Sequence, residues 1–186
     1  MLSAAQVITM PTKIYLPISG AGFGTEALYA SSGESTNGDD AMAVDGIASY
    51  TDSLFLFRMI LKWTNETDAG IREQPINSIK ITALVKKSAD KQATVQGNYR
   101  NNEAALGYNI GEEINVTTSY EYYEFSTNTD YFTHNGPWTW EALDVRYIGV
   151  NLYLYDWPSS GFVDYVCMTV DYGVPYGHPL TLLNFR

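Results

Sequence analysis

Apolar and polar residues alternate over several short stretches of this chain, with the period of two that is typical of β-strands. The clearest stretch is 53–63, in which every odd-numbered position from 55 to 63 is apolar. Similar stretches occur at 78–86, 91–100, 116–125, 147–155 and 162–172. Because segments rich in Gly, Pro, Asn, Asp and Ser separate them, the pattern predicts six or more short strands.

The strand pattern predicts an all-β fold, an antiparallel and jelly-roll-like β-sandwich with one short helical turn and extended terminal arms. The residues KSAD at 87–90 are predicted to form a hairpin turn, and 101–113 a loop. The apolar side chains on one face of each predicted strand are expected to be buried, so they predict the core. The predicted core residues are Phe55, Phe57, Met59, Leu61, Ile79, Ile81, Val150, Leu152, Val166 and Val170.

The helical turn is predicted between Thr139 and Asp144, directly after the strand-rich middle of the chain. Thr139 is the expected N-cap because threonine side chains accept hydrogen bonds from the first free backbone amides of a helix. We expect the flanking Trp138 or Trp140 to pack over one end of the sandwich. The alternative is that these indoles form an exposed sugar-stacking platform.

The composition along the chain predicts three regions. Residues 1–46 are predicted to be an extended N-terminal arm with loops, because prolines limit the apolar stretch 13–18 to an edge strand or an arm, and Gly, Ser, Ala and Asp dominate 19–46. Residues 47–172 are the predicted sandwich. Residues 173–186 contain two Pro and two Gly before an apolar run, and they are predicted to be a C-terminal docking tail.

Charge and hydropathy limit the partners. The net charge of −10 argues against nucleic acid and against anionic membranes. No run approaches the ~18 apolar residues of a membrane helix, and the N-terminus lacks the features of a signal peptide, so neither is expected. The 15 tyrosines suit half-buried sheet surfaces and interfaces.

The sequence contains little that predicts chemistry. The single cysteine, Cys167, lies in an apolar run and is predicted to be a small buried residue. His134 and His178 are not near a nucleophile motif or a zinc motif. The acidic groups at 39–40, Asp45 and 112–113 lack the spacing of a calcium loop. We therefore expect no enzyme, metal site or cofactor.

Five motifs between Ser53 and Tyr172 form a pattern shared with known proteins. They are Ile76 to Ile81, Ser119 to Tyr123, Asn135 to Trp140, Gly149 to Leu152, and Val163 to Tyr172. With these motifs the chain resembles a loosely defined family of structural proteins of tailed phages and related viruses. It departs from the family in shortening an Asn-Pro-x-Thr-Gly element to Asn-Gly-Pro.

The resemblance implies a non-enzymatic virion protein, most simply a capsid decoration or cement protein, with a head fibre, neck or tail position as the other places. Its implied partners are the major capsid protein or other virion subunits, and it is expected to form a homo-oligomer in the particle. Apolar side chains in the terminal regions lack local partners, so they are the candidate subunit contacts. They are Ile14, Leu16, Ile18, Leu180, Leu182, Leu183 and Phe185.

The alternative function on the same fold is a carbohydrate-binding module or a receptor-binding adhesin, because fold alone does not separate these classes. Its candidate stacking residues are Trp157, Tyr153 and Tyr155. An aromatic row on one exposed sheet face would favour it. Asn65 and Asn115 each begin an Asn-x-Thr glycosylation sequence, which matters only in a glycosylating host.

Overall fold

A computed structural model describes residues 11–23, 49–51, 55–88, 91–101, 107–156 and 160–173, with the backbone alone for 18–23, 49–51, 55–58 and 60. These residues form short strands and two short helices. The helices are α1 (Ala69–Arg72) and α2 (Trp140–Val145). The strands are β1 (Thr12–Tyr15), β2 (Pro17–Phe23), β3 (Ser49–Thr51), β4 (Phe55–Trp63), β5 (Ile76–Lys87), β6 (Ala93–Arg100), β7 (Tyr108–Asn115), β8 (Glu121–Thr127), β9 (Thr129–Asp130), β10 (Gly136–Pro137), β11 (Tyr147–Leu154) and β12 (Gly161–Tyr172).

The strands form two large antiparallel sheets and one small two-stranded sheet. Sheet A has the order β1-β12-β5-β8, and β3 also pairs with β12, further along that strand. Sheet B has the order β2-β4-β11-β6-β7. Strands β9 and β10 pair with each other, on either side of the 3-10 turn Tyr131–Thr133.

The strand order defines the fold as a jelly roll. If β3 to β8, β11 and β12 are numbered 1 to 8 along the chain, sheet A has the order 1-8-3-6 and sheet B has the order 2-7-4-5. This is the arrangement of two interlocked Greek keys in a double-sheet jelly roll. The predicted all-β, jelly-roll-like sandwich is therefore confirmed.

The two sheets enclose one core, and the period-two faces point into it. Eight of the ten predicted core side chains are fully buried, from Met59 on β4 to Val170 on β12. The side chains of Phe55 and Phe57 lie outside the described residues. Gly97 on β6 allows the sheets to approach closely, since a Cβ there would lie 2.7 Å from Cβ of Phe125 on the opposite sheet.

The helical turn forms where it is predicted. Thr139 is the N-cap of α2, and its Oγ1 accepts a hydrogen bond from the Ala142 amide at 3.1 Å. Both neighbouring indoles are buried, Trp138 at 2% and Trp140 at 4% exposure. Nε1 of Trp140 donates to the carbonyl oxygen of Gln74 at 2.9 Å. The interpretation of both tryptophans as structural is confirmed, and the sugar-platform alternative is wrong for them.

Two local predictions are wrong because strand pairing was not visible in the pattern. The stretch 87–90 does not close a hairpin, since β5 belongs to sheet A and β6 to sheet B, and the chain crosses between the sheets there. The predicted loop at 101–113 includes most of β7, the edge strand that pairs with β6. A register shift between Val95 and Gly97 in that pairing, with Gly111 at a φ of 72°, interrupts the alternation of β7.

The terminal regions are described in part. Residues 12–23, which the sequence analysis assigned to the N-terminal arm, pair as β1 and β2 with the edges of the two sheets. Residues 1–10, 24–48 and 174–186 lie outside the described residues, so the arm and tail boundaries stay predictions. Over the ranges that are described, no helix is long and apolar enough to cross a membrane.

Candidate functional site

A buried carboxylate attaches β1 to the sandwich. Glu66 is 5% exposed and accepts hydrogen bonds from Nζ of Lys13 at 2.7 Å, from the hydroxyl of Tyr15, and from the Asp68 amide at 2.9 Å. Burial opposes ionisation of Glu66, but these hydrogen bonds outweigh it and lower the pKa to about 2. Because Lys13 and Tyr15 belong to β1, Glu66 anchors that strand to the sandwich.

The side of β1 that faces away from Lys13 and Tyr15 is apolar and exposed. Ile14 is 63% exposed and Leu16, directly after the strand, is 50% exposed. Within the described part of the chain, β1 pairs with β12 alone, which leaves its other edge open. The structure therefore places two of the predicted contact residues on an open sheet edge. Ile18 has only its backbone described, and Leu180, Leu182, Leu183 and Phe185 lie outside the described residues.

The outer face of sheet A continues with an aromatic row. Tyr122 on β8, Leu84 on β5 and Tyr165 on β12 are opposed residues of three neighbouring strands. Tyr122 is 59% exposed, while Leu84 between the two tyrosines is buried. Nζ of Lys86 lies 4.9 Å from the ring centroid of Phe162 beside this row. Tyrosine and phenylalanine are enriched at protein interfaces.

The outer face of sheet B is different, because side-chain amides dominate it. We call the four residues Gln96, Asn98, Asn109 and Asn151 the amide face. Nδ2 of Asn98 and Nδ2 of Asn151 both donate to Oδ1 of Asn109, at 3.1 and 3.0 Å. Nε2 of Gln96 donates to the carbonyl oxygen of Gly111 at 2.7 Å. Strands β6, β7 and β11 are thus connected by side-chain hydrogen bonds as well as by their backbones.

Two oxygens of the amide face have no donor. Oε1 of Gln96 and Oδ1 of Asn151 are buried without a hydrogen-bond partner, in residues that are 8% and 2% exposed. The two residues are directly opposed in the pairing of β6 with β11. A buried polar atom without a partner costs about 1–3 kcal/mol, so these two oxygens lower the stability of this face.

Two of the predicted sugar-stacking residues lie beside these oxygens. The rings of Tyr153 and Tyr155 are stacked, with centroids 6.3 Å apart and planes 12° apart. Tyr155 is 42% exposed and Tyr153 is half-buried. The Tyr155 hydroxyl donates to Oε2 of Glu113 at 2.8 Å, and Thr94 donates to the same oxygen at 2.8 Å. Trp157, the third predicted residue, lies outside the described residues.

The other candidate residues do not form a site. His134 is exposed at a φ of 58°, His178 lies outside the described residues, and Cys167 is buried as predicted. In the part of the chain that the structure describes, no three His, Cys, Asp or Glu side chains are close enough to hold a metal ion. Asn65 and Asn115 are both exposed, and their glycosylation stays a prediction.

Sequence reasoning missed the amide face. Gln96 and Asn98 alternate with apolar residues in the sequence, which predicts a strand but not the partners of its polar side chains. The contribution of Asn109 was hidden because β7 was interpreted as a loop. No local pattern indicates that Asn151 lies opposite Gln96, since 55 positions separate them along the chain.

The strand order defines the chain as a jelly-roll domain. No family model and no curated protein matches the sequence. Among solved structures, the chain is similar to a family 29 carbohydrate-binding module from Piromyces equi, with a TM-score of 0.36, 14% identity and 87% coverage of each chain. It is also similar to the naturally occurring empty particles of cowpea mosaic virus, with a TM-score of 0.31, 13% identity, and coverage of 99% of this chain and 98% of the other.

The assignment as a jelly roll rests on the strand order. The resemblance to phage structural proteins stays a prediction.

Proposed function

We propose that this chain is a non-enzymatic structural protein of a virion, which binds neighbouring subunits and stabilises the particle. The observation that supports it most directly is the open edge of β1, where Ile14 and Leu16 are 63% and 50% exposed. Burying side chains of this size is worth about 1.5–3 kcal/mol each. A complex in which a partner surface covers them is therefore stabilised.

A comparison of the two edges of sheet A favours β1 as the contact edge. At the other edge, β8 presents Glu121 and Glu124 to solvent, and acidic side chains on an edge discourage further strand pairing. On β1 the one basic side chain, Lys13, forms an ion pair with Glu66 at 2.7 Å. The partner would add a strand beside β1 or bury Ile14 and Leu16 in a groove.

The proposed partners are the major capsid protein, other virion subunits or further copies of this chain. The aromatic row of sheet A extends the proposed contact surface, because tyrosine provides a large contact area with only two rotatable side-chain bonds. The apolar residues of 174–186 remain proposed contacts of the same kind.

The test is incorporation into particles of the virus that encodes the chain. We expect the double variant Ile14→Ser, Leu16→Ser to melt as the wild type does and to be absent or strongly depleted in purified particles. The matched control is Val145→Ser, which removes a residue of 54% exposure from the end of α2. Incorporation of the double variant at the wild-type level would contradict the β1 contact.

Deletion of 174–186 tests the tail in the same assay. The truncated chain should fold and fail to enter particles. If the truncated chain enters particles normally, the tail is not a subunit contact. The β1 contact is tested separately, by the double variant.

A further inference from the structure

The backbone of β1 presents hydrogen-bonding groups at the open edge of sheet A. The carbonyl oxygen of Pro11 accepts a hydrogen bond from the amide of Tyr172, which lies opposite it on β12, at 3.1 Å. In an antiparallel ladder, residues bonded to the partner strand in this way alternate with residues whose N–H and C=O groups point away from it. The backbone groups of Thr12 and Ile14 therefore point to the open edge, and Leu16 is the next residue of this series.

The side chains of the same three residues are exposed. Ile14 and Leu16 are 63% and 50% exposed, and Thr12 is exposed beside them. None of the three is charged, although charged side chains are a common means by which natural edge strands prevent further pairing. The edge therefore combines outward backbone groups with apolar side chains, and strand addition uses both.

The charges around this edge permit a second copy of the chain to approach. Lys13, the one charged side chain of β1, forms an ion pair with Glu66 at 2.7 Å, and Asp68 lies beside them as the N-cap of α1. In an antiparallel pair centred on β1, each Lys13 is opposed to Tyr15 of the other copy and so lies near the acids of that copy. Asp171 on β12 is one strand further in. The two Asp171 carboxylates would be three strand spacings apart, about 14 Å, which exceeds the Debye length of about 8 Å at physiological salt.

We infer that two copies of this chain pair through β1, in antiparallel orientation about a two-fold axis at Ile14. In this register Ile14 lies opposite Ile14 of the other copy and Thr12 lies opposite Leu16, so every outward residue of the edge is paired. An axis at Thr12 or at Leu16 would leave some of these backbone groups without a partner. The two copies of sheet A then form one continuous sheet. The inference rests on the proposed function, since it names the partner of the same edge.

The experiment traps the pair as a disulfide, because an edge as short as 12–16 is smaller than a standard interface of about 1,200–2,000 Å² and pairs weakly in the free chain. Opposed residues of a hydrogen-bonded pair have Cα atoms about 5.5 Å apart, within the range of about 4.4–6.8 Å that a disulfide requires. Ile14→Cys is made in the full-length chain, once with the buried Cys167 kept and once with Cys167→Ala. We expect it to form a disulfide-linked dimer at least about tenfold faster than Val145→Cys, a similarly exposed control, since pairing raises the effective concentration of the thiols.

Two further cysteine variants test the register. Thr12→Cys and Leu16→Cys should each form dimers no faster than Val145→Cys, because each residue lies about 13 Å along the strand from its own copy. An equal mixture of the two variants should form the mixed dimer as fast as Ile14→Cys forms its own. Thermal melts of every variant confirm that the chain is folded.

Three outcomes would overturn the inference. One is that Ile14→Cys forms dimers no faster than Val145→Cys. Another is that Thr12→Cys alone forms dimers as fast as Ile14→Cys, which would indicate a different register or random collision. The third is that Ile14→Cys reacts faster with Leu182→Cys than with itself, which would assign the edge to the C-terminal segment.

The inference and the proposed function can fail separately. If Ile14→Cys does not dimerise but the double variant Ile14→Ser, Leu16→Ser is depleted from particles, the β1 edge binds a different virion subunit and the pairing of copies is wrong. If Ile14→Cys dimerises and the double variant enters particles normally, the pairing of copies stands and the proposed particle contact is wrong.

Discussion

The buried Glu66 gives the sharpest prediction about stability. Its pKa is about 2 in the folded chain, below the 4.5 of an unperturbed glutamate. Each pKa unit corresponds to about 1.36 kcal/mol, so the difference is worth about 3 kcal/mol of folding free energy. Because the folded pKa is the lower one, this stability is present above pH 4.5 and is lost as the pH falls toward 2.

The perturbation is Glu66→Gln, which removes the charge and keeps the shape of the side chain. At pH 7 it should lower the free energy of unfolding by about 3 kcal/mol, measured by urea titration with tryptophan fluorescence. Lys13 is then left without its partner, but its side chain is 42% exposed and can return to water, so no buried charge is stranded.

The pH dependence distinguishes this ionic effect from simple loss of packing. Between pH 4.5 and 2 the free energy of unfolding of the wild type should fall more steeply with decreasing pH than that of Glu66→Gln. The reason is that unfolding of the wild type binds up to one more proton, at Glu66. The matched control is Glu124→Gln, since Glu124 pairs with Lys80 at 2.9 Å but has a side chain that is 55% exposed. Such a surface pair is worth about 0–1 kcal/mol. Parallel pH profiles for the wild type and Glu66→Gln would show that ionised Glu66 does not stabilise the fold.

Two further predictions concern the core and the helix. Leu152→Ala removes a fully buried side chain of β11 and should lower the free energy of unfolding by about 2–5 kcal/mol in urea titration. The control Ile14→Ala, on the exposed edge, should change it by less than about 0.5 kcal/mol. Equal effects of the two substitutions would contradict the assignment of the core. Thr139→Ala removes the hydrogen bond to the Ala142 amide and should cost about 0.5–2 kcal/mol. Thr139→Ser keeps the cap and should restore most of that loss in the same titration, and an alanine variant as stable as the wild type would show that the cap is not needed.

Which face of each strand is buried and where the helix is capped could both be predicted from the sequence. The alternation in 78–86 and 147–155 predicted which side chains leave water, because a strand turns successive side chains to opposite sides whatever its neighbours are. Thr139 could be recognised as an N-cap because capping involves only the first turn of one helix. These are local properties, so they are expressed in local patterns.

How the strands pair, and which side chains meet, could be seen only in the folded chain. The connection after β5 looked like a hairpin, yet it crosses to the other sheet, because periodicity reports burial and does not identify the partner strand. The Lys13–Glu66 ion pair joins residues 53 positions apart, and Gln96 lies opposite Asn151 only through the pairing of β6 with β11. Such contacts require long loops to close and two sheets to pack before they form. Ile14 and Leu16 could be named as contact candidates from the sequence, but their place on the edge of sheet A follows only from the pairing of β1 with β12.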